Sequence, residues 1–66
     1  MLKITEIKAL AKVTGVSVYA NHLYGKIWEA IVLSGNKVVI CVGRPAHTKK
    51  TAMNRAWSKY IEENKV

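Results

Sequence analysis

The chain has 66 residues, room for one domain over 1–66 and no second. Folding at this size buries roughly 60% of the unfolded surface, and half the residues are apolar, which supplies a core and argues against intrinsic disorder. Eleven Lys and Arg against four Asp and Glu give a net charge of +7, an excess that attracts polyanions: nucleic acid, an anionic membrane surface or an acidic protein.

Leu2 to about Thr14 has helical spacing, with Ile4, Ile7, Leu10 and Ala11 on one face and Thr5, Lys8 and Lys12 opposite. Thr14-Gly15 is a stop signal, because glycine suits the left-handed cap position. Val16 to Ala20 then predicts a short strand, and Asn21-His22-Leu23-Tyr24-Gly25 a loop. Lys26 to Leu33 predicts a second strand, rich in β-branched and aromatic residues. Ser34-Gly35-Asn36-Lys37 is a hairpin signal, with Gly-Asn at the turn centre, and Val38 to Val42 is the third strand.

Gly43-Arg44-Pro45 breaks that strand, and Ala46 to about Glu63 predicts the second helix. Its apolar stripe is Ala52, Met53, Ala56, Trp57, Tyr60 and Ile61. The order is α-β-β-β-α, an α+β two-layer sandwich with two helices on one face of a three-stranded antiparallel sheet. The middle strand carries apolar groups at both parities: Ile27, Ile31 and Leu33 on one, Trp28, Ala30 and Val32 on the other. A sheet packed on one face alternates more cleanly, so we expect a second copy or a protein partner on the open face.

The second helix has its charges reversed against its dipole. Thr48-Lys49-Lys50 stands near the start and Glu62-Glu63 at the end, which we expect to fray. A helix N-terminus favours acids and its C-terminus bases, at roughly 0.3–1 kcal/mol per charge. Folding does not recommend that arrangement, but anion binding does, since backbone N–H groups, dipole and ammonium groups all favour one phosphate. Arg44, Lys49 and Lys50 surround the helix start, while Arg55 and Lys59 continue along its polar side. Lys8 and Lys12 add a stripe on the first helix. Solubility accounts for any single lysine; it does not account for a cluster set against the dipole. The loop after the first strand offers His22, Tyr24 and Lys26, with His22 or Asn21 able to donate to a base edge or a 2′-hydroxyl.

Catalysis finds no support. No Ser-His-Asp, Cys-His or paired-carboxylate arrangement is apparent, nor any glycine-rich phosphate loop. Cys41 is the single cysteine, which excludes an internal disulfide and a Cys-based metal site, and its apolar surroundings suit a small buried hydrophobe. No cofactor or metal is expected. No segment approaches the about 20 apolar residues of a membrane-spanning helix, and no leader peptide is visible. The expectation is a soluble, cytoplasmic, non-enzymatic protein with no membrane partner.

The element order and the run Thr48-Lys49-Lys50-Thr51-Ala52-Met53, with Ala56 four residues beyond Ala52, resemble the double-stranded RNA-binding domain family. That family opens its second helix with a Ser-Lys-Lys-x-Ala-Lys-like motif and an alanine-rich face. The resemblance implies Lys49 and Lys50 on phosphates across a major groove, with Glu6 and its helix face in one minor groove and His22 in the other. The chain departs from the pattern at Met53, which replaces the third lysine. It also lacks a Gly-Pro-x-His loop, and only Gly43-Arg44-Pro45 stands where the family has a glycine run.

The sheet and C-terminal helix are also similar to the amino-terminal DNA-binding domains of phage and transposon integrases, and to plant ethylene-response-type domains. That resemblance implies a sheet face in a DNA major groove, with Lys26, Trp28, Arg44 and the hairpin as reader. A compact basic domain also suits a phage or mobile-element protein that binds a host protein complex. The expected function is non-catalytic duplex binding, with double-stranded RNA ahead of DNA, through Lys49, Lys50, Arg44, Arg55, Lys8, Lys12, His22 and Lys26.

Overall fold

The computed structural model describes residues 1–64. Its elements run α1 (Ile4–Thr14), β1 (Ser17–Tyr24), β2 (Ile27–Leu33), β3 (Val39–Val42) and α2 (Lys49–Glu63), the α-β-β-β-α order that the periodicity predicts. The strands form one antiparallel sheet in the order β1-β2-β3.

Helix α1 opens at Lys3, whose N–H donates to the Glu6 carboxylate at 3.0 Å. It closes at Gly15, left-handed at φ 89°, where the Gly15 and Val16 N–H groups return to the Lys12 and Ala11 carbonyls. Ile7 and Ala11 are buried and Ile4 half-buried; Leu10, expected on the same stripe, is exposed.

Strand β1 is longer than its sequence suggests. Asn21 and His22 read as loop residues, yet they pair with Glu29 and Trp28 and carry the strand through to Tyr24. A register shift between His22 and Tyr24 and a left-handed Gly25 (φ 53°) let Gly25-Lys26 close the hairpin as a two-residue turn. The second hairpin turns at Gly35-Asn36, with Lys37 N–H on the Ser34 carbonyl at 2.9 Å. The left-handed residue there is Lys37 (φ 61°), not the glycine.

Helix α2 starts three residues later than Ala46. Ala46 instead exchanges both backbone hydrogen bonds with Trp28, at 2.7 and 2.8 Å, and extends the sheet by one bridge. Thr48 then caps the helix, its hydroxyl accepting the Thr51 N–H at 3.1 Å. Asn64 caps the other end through Tyr60, and α2 extends through Glu63.

The helix-side face of the sheet carries Val18, Ala30, Val32 and Cys41, which meet Ile7 and Ala11 of α1 and Ala52, Met53, Ala56, Trp57 and Tyr60 of α2 in one core. Ile61 is exposed. Gly43 lies so close to α2 that an added Cβ would stand 2.7 Å from the Ala56 backbone. Cys41 is free and buried, its thiol donating to the Ala56 carbonyl at 3.8 Å. Burial, and then nearby Glu63, push its pKa up, while Lys59 pulls the other way. The opposite face is uncovered: Tyr19, Val39, Ile40 and Val42 are exposed there beside half-buried Ile31 and Leu33.

Candidate nucleic-acid interface

Both helices begin toward the same end of the molecule. The Leu2 backbone is clasped by Asn54 in the second turn of α2, through Leu2 N–H to Oδ1 at 2.9 Å and Nδ2 to the Leu2 carbonyl at 2.8 Å. Gly15, at the far end of α1, faces Gly35 in the β2–β3 turn. The start of α2 follows Ala46, which is bridged to Trp28, and its last turn lies near Cys41. The positive ends of two helix dipoles therefore point the same way.

The β1–β2 hairpin tip shares that end. His22 pairs with Trp28 on one side, and Ala46 pairs with Trp28 on the other. Two strand spacings separate His22 from Ala46, about 10 Å. Ala46 is two residues before the Thr48 cap, so the tip with His22 and Lys26 and the helix start with Lys49 and Lys50 lie at the same end of the sheet. All four are exposed. The first turn of α2 holds no acid and its last turn no base, so the reversed charge pattern lies on a formed helix. The Thr48 hydroxyl meets the Thr51 N–H and the Thr48 carbonyl meets that of Ala52, which leaves the Lys49 and Lys50 amides open to an anion.

His22 is more constrained than a loop residue. Its ring packs against Trp28 with centroids 4.9 Å apart and planes tilted by 41°, and Nε2 hydrogen-bonds the Gly25 carbonyl. A carbonyl only accepts, so Nε2 carries the proton and Nδ1 is the atom left for a ligand.

The remaining basic groups fall into two other places. Arg44 lines a broad depression of about 790 Å³ beside α2, with Thr51 and Asn54 from the first two turns of the helix and Arg55, Lys59 and Glu62 further along it. Arg55 donates to the Pro45 carbonyl, and Lys59 Nζ donates to the Val42 carbonyl at 3.0 Å. They thereby staple the end of β3 and the β3–α2 connection to the helix while staying exposed. Lys8 and Lys12 border a separate groove between α1 and β1, which opens on Val16 to Tyr19. Lys12 lies toward the β2–β3 turn, away from the α2 start.

Glu6, implied as a groove contact by the resemblance, has its carboxylate on the Lys3 amide. Asn54, which sequence reading passed over, is wholly committed inside the fold, since Nδ2 also meets the Lys50 carbonyl at 2.9 Å. Its spacing in α2 carries no hint of that role, because its partner is 52 residues away. Trp28 belongs to the helix-side face with Ala30 and Val32, not to the open face. Among the described residues no group of three or more His, Cys, Asp and Glu could hold a metal ion, and no helix is long and apolar enough to cross a membrane.

No family model matches the chain, and no curated protein or solved structure matches it.

Proposed function

We propose that the chain is a small, non-catalytic nucleic-acid-binding protein that grips a duplex backbone at the end where both helices start. The observation that carries this reading is the Thr48-capped start of α2. Two open amides and two lysines converge there with no acid in the first turn, at the end of the sheet that also carries the His22–Lys26 hairpin tip. Lys49 and Lys50 hold phosphates, and the hairpin tip reaches the neighbouring groove. Arg44, with Arg55 and Lys59, extends the positive field along α2.

Recognition is of backbone and shape. The two side chains of α2 best suited to reading bases, Asn54 and Arg55, are tied to Leu2, Lys50 and Pro45. A helix used this way does not need to enter a DNA major groove, whereas an A-form duplex is recognised through phosphates and 2′-hydroxyls. Double-stranded RNA is therefore the favoured ligand. The sheet-reading alternative lacks support, because none of the three strands contains a Lys or Arg.

Competition among duplex RNA, duplex DNA and single strands of equal length tests the reading. Duplex RNA is expected to bind most tightly, and every affinity to fall with salt. Preference for single strands, or no binding at low salt, would overturn it.

A further inference from the structure

We propose that the outer edge of β1, in the groove beside α1, takes an extended acidic peptide as a fourth strand of the sheet. The proposal is independent of the duplex reading.

Strand pairing shows which backbone groups face outward. In an antiparallel pair, residues that exchange both hydrogen bonds alternate with residues that turn both groups away from each other. Trp28 gives its N–H and C=O to Ala46, so His22, its partner on β1, turns its own two groups outward. The Ala30 carbonyl likewise accepts the Gly43 N–H at 2.9 Å, which leaves its partner Ala20 facing out. Val18, opposite Val32, repeats the pattern two residues back. The N–H and C=O of all three residues thus line an edge of about 13 Å.

At Val18 those groups lack a partner. Val18 is 5% exposed, yet no hydrogen bond among the described residues reaches its outward N–H and C=O. More than about 90% of buried backbone groups are paired, and one left alone costs about as much as a lost hydrogen bond. Val18 lies in the groove lined by Lys8, Ala11 and Lys12 of α1 and by Val16 to Tyr19, so an entering backbone supplies the missing partners. The edge is also unguarded. Ser17 to His22 contains no Lys, Arg or Pro, and the register shift comes only after His22. At the opposite edge, β3 has four residues and gives its Val42 carbonyl to Lys59.

Charge selects the occupant. Lys8 and Lys12 are exposed, and among the described residues no acid lines the groove. Residues one helical turn apart stand about 6 Å from each other along a helix, and alternate side chains of a strand about 6.7 Å. A segment with Glu or Asp at every second position therefore sets one carboxylate against each lysine. A second copy fits worse, because pairing β1 with β1 brings both Lys8–Lys12 pairs to one seam between chains of +7 each. A phosphate backbone offers acceptors alone and leaves the outward carbonyls unpaired.

The test titrates acetyl-Glu-Val-Glu-Val-Glu-Val-Glu-amide into the isotope-labelled whole chain, followed by NMR. Saturable shifts centred on the Val18, Ala20 and His22 amides are expected, with a Kd below about 1 mM. Methylating one alternate set of the peptide nitrogens should abolish binding and methylating the other should not, because only one set faces β1. Lys8→Ala/Lys12→Ala should weaken binding by about fivefold or more. Ala20→Pro removes an outward donor and no ladder hydrogen bond, and should weaken it by about tenfold or more. If that variant fails to fold, the two methylated peptides decide. No binding at 1 mM, equal binding of both methylated peptides, or shifts centred on Lys49 and Lys50 would overturn the proposal. Shifts of the same β1 amides on concentrating the chain alone would overturn it in favour of a second copy.

Discussion

Gly43 and Ala56 touch so closely that the fold has no space for a side chain between them: a Cβ on Gly43 would stand 2.7 Å from the Ala56 Cα and N. That contact is where the chain leaves β3 and crosses to α2. Gly43→Ala is expected to push the connection off the helix and cost about 1–3 kcal/mol, the usual range for overpacking. Urea denaturation measures this; an unchanged midpoint would show that the connection yields freely.

Asn54 ties the start of the chain to α2 with three hydrogen bonds, to Leu2 N–H, the Leu2 carbonyl and the Lys50 carbonyl. Asn54→Ala strands the half-buried Leu2 groups and should destabilise by about 1–3 kcal/mol. Hydrogen exchange should then show faster opening of the first turn of α1 than of β2.

Thr48 offers a substitution with opposite effects on stability and on binding. Thr48→Asp keeps an acceptor for the Thr51 N–H and adds a negative charge that the α2 dipole favours, so stability should rise by about 0.3–1 kcal/mol. The same carboxylate occupies the phosphate position, so duplex affinity should fall. A variant that is both more stable and equally tight would show that phosphate does not sit there.

Cys41 sets a pH dependence. Its folded pKa is raised, by burial first and Glu63 second, so the neutral thiol favours the fold. That contribution is fully present below the unfolded value of about 8.5 and is lost as pH rises through the higher folded value. Stability should therefore decline above about pH 8.5, and less steeply in Cys41→Ala, as denaturation midpoints across pH would show.

Much of this architecture was legible because it is local. The stop at Gly15, the turn at Gly35-Asn36 and the stripe from Ala52 to Tyr60 each follow from spacing within a few residues. What was illegible depends on distant partners. Asn21 and His22 look like loop residues until Glu29 and Trp28 pair with them. Ala46 looks helical until the Trp28 backbone claims it. For the candidate site, the reversed charges of α2 were readable as written. The backbone partners of Arg55 and Lys59, the Pro45 and Val42 carbonyls, were not, because they lie 10 and 17 residues away in the chain.

The central claim is that Lys49 and Lys50 hold phosphate at the start of α2. Its most direct test is duplex RNA affinity across a salt series for the parent and for Lys49→Ala/Lys50→Ala. Each phosphate contact contributes roughly 0.7–0.9 to the slope of log K against log salt. The double variant, still folded by circular dichroism, should bind at least about tenfold more weakly at low salt with a slope shallower by about 1–2. Equal affinity and an unchanged slope would contradict it.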